Sequence, residues 1–581
     1  MKNAEVQKTN VINIPVEFIS FGWIIKTIKR LLILFSFLVV TIPLNAQIVF
    51  EPLSRDVYSF LERLSDKGVI EIENVVKPLS RKYIAGKIIE AEGKSDMLNS
   101  LEKKELEFYR QDYYFEIDAF RDENKDKVSL SYFNKDAGGR YRAFSYSDKI
   151  LKVNVDPLIG YQISFPGKLR NIHSWMGLSS YGYISDNIGF SMDFRSNSES
   201  GTYYDMLKRF TPETGVIARE SGGEIDYSQV NSTASVDWDW GSFIVAKDFM
   251  EYGYAKSGNL VLSNKAPSFP YIQLRLNPVK WLNFYYFHAF LNSDVIDSAK
   301  LEEYKRDIYV NKYFAWHSLV VTPLKGLDIS IGESVVYSNK LELVYLMPFL
   351  FYYYADDFLS NRHDKPGDAN QQIFFSLSSR NHIKNTHLYA TMFIDELTLR
   401  GIGGTLFVDG QTVSNAFSDT SSRTQLGYTV GMSTVDMPVN NLTFTIEYTR
   451  INPFVYGHHD PAQTYTSSSY ILGHWIGQNA DLIYAEFNYR FLRGLQATLY
   501  GEYVRKGSSD YSDQYGDHQP VFLFGLKNYY TYLGLDIKYE LVHDLNFEAK
   551  LKMNIASNEQ DDGSFEQNQL NEFSFSAYYG F

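Results

Sequence analysis

The chain has 581 residues, a formal net charge of −13 and no cysteine, while aromatic residues make up 16% of it. Without cysteine it has no disulfide, no thiol nucleophile, no cysteine-based zinc site and no lipidated cysteine anchor. The excess of acidic residues argues against a nucleic-acid partner, and the aromatic content favours strands and membrane-interface belts over helix bundles.

A basic and then apolar segment at the N-terminus is typical of a secretory signal peptide. Lys29-Arg30 precede the apolar run LLILFSFLVVTI, which is followed by the small-residue exit Leu44-Asn45-Ala46. The run is too short for a membrane anchor and has the flanks of a cleaved leader. We therefore predict that residues 1–46 are a signal peptide and that the protein is exported.

Helical periodicity follows the signal and predicts a small N-terminal helical region over residues 47–112. A first helix is expected after Ser54 and a second after Ser80, because serine is a favourable N-cap residue. The apolar residues of the first helix lie on one face: Val57, Phe60, Leu61 and Leu64. We expect this region to lie on the periplasmic side of a membrane domain.

Two-residue alternation replaces the helical period over residues 113–581. In LNFEAKLKMNI, which runs from Leu545 to Ile555, apolar residues occupy one face and charged or amide residues the other. Globular strands usually have about five or six residues, whereas a strand tilted across a bilayer needs roughly 9 to 11. Only a closed barrel lets such strands face lipid with every backbone group paired.

The length of the alternating region predicts the size of the barrel. At roughly 26 residues for each strand and its share of loop, it forms about 18 antiparallel strands. The terminal stretch EFSFSAYYGF is expected to close the barrel against the first strand, with Phe581 on the lipid face. The prediction is a mainly β, transmembrane antiparallel barrel in the outer membrane of a Gram-negative bacterium, in contact with lipid and with the barrel insertion machinery during assembly.

Catalytic motifs are not found in the sequence. It contains no GxSxG, no HExxH and no phosphate-binding P-loop. We therefore predict no enzymatic activity, no catalytic residues, no cofactor and no metal.

The segment from Val236 to Tyr345 carries the most specific sequence blocks. In order and wording these blocks resemble the Wzi-like capsule assembly family of Gram-negative outer membranes. They are the Trp-rich turn with Lys247-Asp248, Gly258-Asn259-Leu260, His288 to Asn292, the strand around His317, and Gly332-Glu333-Ser334. The resemblance implies a barrel with a small periplasmic helical element that acts as a surface lectin and holds or organises exported polysaccharide.

The same segment supplies the candidate site, a polysaccharide-binding or lumenal polar cluster. Strand parity places Glu333 on the lipid side, where a charge is unfavourable, so we expect a bulge near Gly332 to turn it inward. A structural pair of Glu333 with Arg275 or Lys247, and a membrane-girdle role for the tryptophans, are the alternatives. The candidates are Trp238, Trp240, Asp248, Asn259, Arg275, His317 and Glu333.

Three functions are compatible with these features. The first is a barrel that binds and organises surface polysaccharide in capsule or exopolysaccharide assembly. The second is an outer-membrane component of surface adhesion or gliding motility, and the third is a diffusion porin or a barrel enzyme. A porin conducts ions when it is reconstituted, whereas loss of capsule without loss of spreading separates the first function from the second.

Overall fold

The computed structural model describes residues 48–121, 128–185, 187–202, 208–361, 369–395, 425–508 and 521–581. The predicted signal peptide lies outside the described residues. Within these ranges, no helix is both long enough and apolar enough to span a bilayer.

The N-terminal part is helical, and its elements follow from capping and apolar periodicity. Its helices are α1 (Val57–Asp66), α2 (Arg81–Glu92), α3 (Ser100–Asp112) and α4 (Tyr114–Arg121). Ser80 Oγ accepts a hydrogen bond from the backbone N–H of Tyr83 at 3.1 Å and begins α2 as predicted. Helix α1 begins after Asp56 instead of Ser54. The helical part continues past residue 112 because Ile117 of α4 joins the apolar core of the other helices.

Strands make up most of the rest of the described chain. They are, in order, β1 (Val76–Lys77), β2 (Ser129–Lys135), β3 (Tyr141–Ser147), β4 (Leu151–Pro166), β5 (Asn171–Ile184), β6 (Ile188–Gly201), β7 (Arg219–Ser221), β8 (Glu224–Trp238), β9 (Gly241–Asp248), β10 (Glu251–Tyr252), β11 (Phe269–Val279), β12 (Leu282–Ile296), β13 (Tyr309–Leu324), β14 (Leu327–Ser338), β15 (Asn370–Arg380), β16 (Thr386–Asp395), β17 (Gln425–Val435), β18 (Leu442–Ile451), β19 (Thr466–Ser467), β20 (Tyr470–Ile471), β21 (Ala480–Leu492), β22 (Leu495–Gly507), β23 (Lys527–Val542), β24 (Leu545–Glu559) and β25 (Phe565–Tyr579). Two further helices, α5 (Ser298–Tyr304) and α6 (Tyr352–Asn361), lie in loops.

Eighteen of the described strands form a closed antiparallel barrel, which confirms the predicted fold. They are β4–β6, β8, β9, β11–β18 and β21–β25. The last strand pairs with the first, from Tyr579 opposite Ile159 to Glu572 opposite Pro166, so neither edge is left open there. The β2–β3 hairpin pairs with the beginning of β4 and extends the wall beyond this seam.

Side chains alternate between the two faces of the wall. Outward positions carry exposed apolar groups, such as Met176 on β5, which is 68% exposed, and Ile329 and Ile331 on β14. Inward positions of the same strands are polar or are buried against segments inside the barrel, as with Ser330. An apolar outer belt around a closed barrel is the surface that a lipid bilayer requires.

The two ends of the barrel differ in the length of their connections. At one end short turns join the strands, for example the two residues between β8 and β9. The helical region packs on this end, where Arg490 donates to Glu105 at 2.8 Å and His543 stacks on Phe108 with ring centroids 3.7 Å apart. Short turns mark the periplasmic end of outer-membrane barrels. The helices therefore close the periplasmic end.

Two long connections from the opposite end fold into the lumen. We call residues 249–268 and 452–479 the inner segments. Tyr252 contacts Ser318 and Ser330 on the inner wall at 3.0 and 2.8 Å, and β10 pairs with β1 of the helical region. Tyr456 joins the two inner segments by donating to the carbonyl of Leu260 at 2.7 Å. The lumen against β9–β16 is consequently packed with protein.

Candidate functional site

The sequence-predicted candidates do not form one cluster. His317 and Glu333 lie on the outer face of the wall, while Trp238 is the last residue of β8 and Trp240 lies in the short turn that follows it. The rings of Trp238 and Trp240 meet edge to face with centroids 5.5 Å apart, and Trp240 is 52% exposed. These four residues are therefore at the membrane-facing or periplasmic surface instead of inside the lumen.

The bulge predicted near Gly332 is wrong, as the pairing of Glu333 shows. Pairing through it is regular, with His317 on one side and Ile373 on the other, so its side chain keeps the outward parity of Ile331. Its Oε1 lies 3.0 Å from His317 Nε2 and accepts the backbone N–H of Tyr352 at 2.8 Å. The charge is tolerated outside because residues 339–361, which we call the cover segment, shield it from lipid.

The cover segment lies against the outside of the wall. Tyr345 and Tyr352 pack with Tyr337 of β14 in a small buried cluster, and Tyr286 donates to the carbonyl of Tyr345 at 2.9 Å. On its far side Phe349 is 69% exposed. The cover segment thus shields the Glu333 side chain on the outer face, so the predicted inward rotation of this side chain is not needed.

The remaining candidates lie inside, in separate places. Arg275 donates to the carbonyl of Pro78 at 3.2 Å and stacks over Phe50, so it holds the helical region. Asn259 is buried in the first inner segment, and Asp248 accepts the backbone N–H of Phe249 at 2.7 Å. Among the seven candidates, Asp248 alone lines a large cavity beside the inner faces of β4–β6 and β8.

That cavity, which we call the lumenal cavity, has a volume of about 1000 Å³. The inner faces of β4–β6 and β8 form one wall, and residues 49–55 and 264–268 form another. Acidic and basic side chains line it in equal number, together with amides and hydroxyls. This size suits an extended small ligand or a short stretch of a polymer.

A connected polar network occupies the wall of the cavity on β5, β6 and β8. Tyr227 donates to Glu199 Oε1 at 3.0 Å, and its hydroxyl lies 3.3 Å from His173 Nε2. Lys208 and Asn171 also donate to the Glu199 carboxylate, at 3.1 and 3.2 Å. These contacts fix the side chains at one end of the cavity before any ligand arrives.

Other polar atoms of the cavity have no partner among the described residues. They are the Asn154 Oδ1, Asn231 Oδ1 and Arg195 Nε atoms, all of them buried. Arg195 makes no hydrogen bond or ion pair within the described chain and contacts the ring of Phe581 at 5.2 Å. Buried groups of this kind normally have partners. These atoms are available to hydrogen-bond with water or a ligand in the cavity.

The prediction that Phe581 faces lipid is also wrong, because its side chain points into the lumenal cavity. Strand β25 ends at Tyr579, and Gly580 follows with φ +109°, a conformation that favours glycine. This reversal places the Phe581 ring between the guanidinium groups of Arg55 and Arg195, at 5.1 and 5.2 Å.

Sequence reasoning missed most of the cavity, although one signal was present. Asp193, Arg195, Asn197 and Glu199 alternate along β6 and form a continuous polar face. The pattern shows that this face is inside, but does not show which strands stand opposite it. Within the described ranges there is also no group of three or more His, Asp or Glu residues arranged to hold a metal.

The fold was compared with solved structures. It is similar to Wzi of Escherichia coli, described as an outer membrane protein involved in group 1 capsule assembly and a carbohydrate-binding β-barrel, with a TM-score of 0.54 and 11% identity over 92% of this chain and 100% of that one. The Pseudomonas aeruginosa outer membrane protein opdK gives a TM-score of 0.41 and 10% identity over 74% and 98%. No protein-family model and no curated protein sequence matches the chain.

At these identities the similarity concerns the fold. The chain is a large antiparallel outer-membrane barrel with a small helical region, and its place is the outer membrane of a Gram-negative bacterium.

Proposed function

We propose that this protein is a non-enzymatic, Wzi-like barrel that binds and organises surface polysaccharide in capsule or exopolysaccharide assembly. The observation that carries the proposal is the lumenal cavity with its unpartnered Arg195, Asn154 and Asn231 atoms beside the Phe581 ring. Sugars present many hydroxyl groups and an apolar ring face, which match planar polar side chains and an aromatic ring.

The charge of the cavity supports a hydroxyl-rich ligand over a strongly charged one. Most of its charged groups already have ion-pair partners; Arg142, for example, donates to Asp156 at 2.6 Å. Within the described part of the chain Asp193 accepts one hydrogen bond, from Asn231 at 3.2 Å, which leaves acceptor capacity for a sugar hydroxyl. The similarity in fold to the carbohydrate-binding barrel Wzi also supports a hydroxyl-rich ligand.

The packing of the lumen argues against a diffusion porin. The inner segments fill the space against β9–β16, and the helical region closes the periplasmic end. A solute on a direct path would have to displace buried side chains such as Tyr252 and Tyr456. Retention of a ligand fits this arrangement better than free passage.

The test is polysaccharide retention on cells. A strain that lacks the protein is complemented with the wild type, with Arg195→Gln or with the control Arg170→Gln, an exposed arginine in the turn between β4 and β5. We expect the deletion and Arg195→Gln to lose most cell-bound polysaccharide at equal barrel levels, and Arg170→Gln to keep it. Unchanged retention in the deletion strain would refute the proposal, and loss of spreading alone would favour the motility role.

A further inference from the structure

The barrel wall is low on one side. Strand β9 has 8 residues and β11 has 11, whereas β8 and β12, the strands that flank this pair in the wall, have 15 each. Between β9 and β11 the chain leaves the wall as the first inner segment. A gap therefore lies between β8 and β12 in the half of the barrel away from the helices.

The edge of β8 is partly unpaired at this gap. Pairing with β9 begins at Ser232 opposite Lys247, and β7 pairs only with residues 224–226. Residues 227–231 consequently have no strand on that side. Lys247 Nζ donates to the carbonyl of Val230 at 2.7 Å and to Ser268 Oγ at 2.8 Å, so it forms the floor of the gap.

We call this gap the side window. It is bounded by residues 227–231, by the Ser232–Lys247 pair, by residues 267–268 and by residues 213–217 of the segment that leads into β7. The lining of the lumenal cavity includes inward-facing Arg195 together with Ser228, Lys247 and Ser268 at the window. The cavity therefore lies directly behind the window.

The side window lies where the apolar belt ends. Below its floor the outward residues of β9 are Phe243 and Val245, which are 43% and 51% exposed. Above it the outward residues of β8 are Val230, then Ser228 and Asp226. A change from apolar to polar outward residues marks the boundary between hydrocarbon and headgroups. The window therefore opens at the headgroup level of the outer leaflet.

We propose that the ligand of the lumenal cavity is an outer-leaflet glycolipid, which passes its sugar through the side window while its acyl chains stay in the membrane. The inference rests on the proposed function, because it names the ligand class of the same cavity. An opening in the wall at headgroup level lets the sugars next to the anchor reach the cavity while the acyl chains stay in the leaflet.

The groups at the window suit such a headgroup. The Lys247 ammonium has a third N–H beyond the two already used, and it stands where lipid phosphates lie. The backbone N–H and C=O groups of Ser228 are on an edge without a strand partner. Sugar hydroxyls that pass this edge find both donors and acceptors.

Reversible closure of the window is the test. The chain has no native cysteine, so Val230→Cys with Ser268→Cys provides a unique pair of thiols on the two sides of the window. The two positions lie two strand spacings apart, about 10 Å, within reach of a bis-methanethiosulfonate cross-linker that reductant removes. The probes are lipopolysaccharide from the producing bacterium and the polysaccharide released from the same material by mild acid.

We expect the open protein to bind the lipidated probe about tenfold more tightly than the released polysaccharide, which corresponds to about 1.4 kcal/mol. Cross-linking should abolish this preference, and reductant should restore it. A control pair, Leu319→Cys with Phe375→Cys, has the same outward spacing across an intact wall and should leave binding unchanged.

Equal binding of the two probes, or a preference that survives closure, would overturn the inference while leaving the proposed function intact. Failure of both probes to bind the open protein would overturn both. Ser228→Trp, an exposed position on the outer face, blocks the window without cross-linking and should give the same loss if the double variant does not fold.

Discussion

A single carboxylate on the lipid-facing side shows how this wall accommodates charge. Glu333 keeps its outward parity, pairs with His317 and is covered by the backbone of Tyr352. Hydrogen bonds to a carboxylate are stronger than those to a neutral group, so removal of the charge weakens both contacts. The outward position that strand parity gives Glu333 is thus correct. Its charge is shielded by the cover segment, the loop that follows the same strand.

Glu333→Gln should loosen the cover segment without affecting polysaccharide binding. Hydrogen bonds to charged groups contribute about 1.5–3 kcal/mol, so we expect the free energy of unfolding in detergent to fall by about that amount. The cover segment should also be cut earlier by protease. Glu342→Gln, which alters an exposed pair with Lys340, is the control and should change neither measurement.

Glu73 gives the helical region a pH dependence. Burial raises the pKa of its carboxyl to about 7 from 4.5, and nearby Asp328 adds to this, while hydrogen bonds from Tyr285 and Val75 and the charge of Arg275 oppose it. Between these two pH values the folded state holds a proton that the unfolded state has lost. The stability of the docked region therefore falls as the pH rises from about 4.5 through about 7.

Resistance of the helical region to urea should accordingly be lower at pH 8 than at pH 5. Glu73→Gln should reduce the difference, because it removes the titrating group and keeps the acceptor for Tyr285. Glu71→Gln, at an exposed carboxyl paired with Lys325, is the control. An unchanged pH difference in Glu73→Gln would contradict this assignment.

At the scale of elements, strands were easier to predict than the segments between them. The alternation in Leu545–Glu559 is local, so strand type and face follow from the sequence alone. The first inner segment is equally rich in apolar and aromatic residues, yet it leaves the wall. Helix α6 carries aromatic residues both on the side that packs on the wall, as with Tyr352, and on the exposed side, as with Tyr354 and Phe358, so its apolar residues do not mark one face.

The docking of the helical region depends on buried arginines that come from the short turns and strand ends. Arg490 donates to Glu105 at 2.8 Å and to Ser59 Oγ at 2.9 Å, and both charged side chains are buried. No local pattern in either segment indicates the other, because 385 residues separate Arg490 from Glu105. Such contacts require the closed barrel before they exist.

Arg490→Met should release the helical region under mild conditions. Removal of one partner leaves Glu105 buried without its cation, which costs about 3–5 kcal/mol. We expect trypsin to cut the helical region of the folded barrel at a lower urea concentration than in the wild type. Lys87→Met, in a partly exposed pair with Glu90, should shift that concentration little. Equal shifts in both variants would contradict a docking role for Arg490.

For the whole molecule, strand number and closure follow from length, because a bilayer fixes the span of each strand. The segments that fill the lumen cannot be predicted in this way, because the same types of residue occur in the wall and in the lumen. Asp193, Arg195 and Asn231 become a site only when β6 and β8 stand beside the C-terminal Phe581 and residues 49–55. The candidates taken from the Val236–Tyr345 segment missed this site because its residues come from both ends of the chain.

The central claim is that the lumenal cavity binds polysaccharide, and a titration tests it most directly. The folded barrel in detergent is titrated with labelled surface polysaccharide from the producing bacterium, lipidated and released, and compared with Arg195→Gln and Arg170→Gln. We predict saturable binding that weakens about tenfold or more in Arg195→Gln, since a lost hydrogen bond to a charged group costs about 1.5–3 kcal/mol, and stays unchanged in Arg170→Gln. Absence of saturable binding by the wild type, or equal affinity in Arg195→Gln, would contradict the claim.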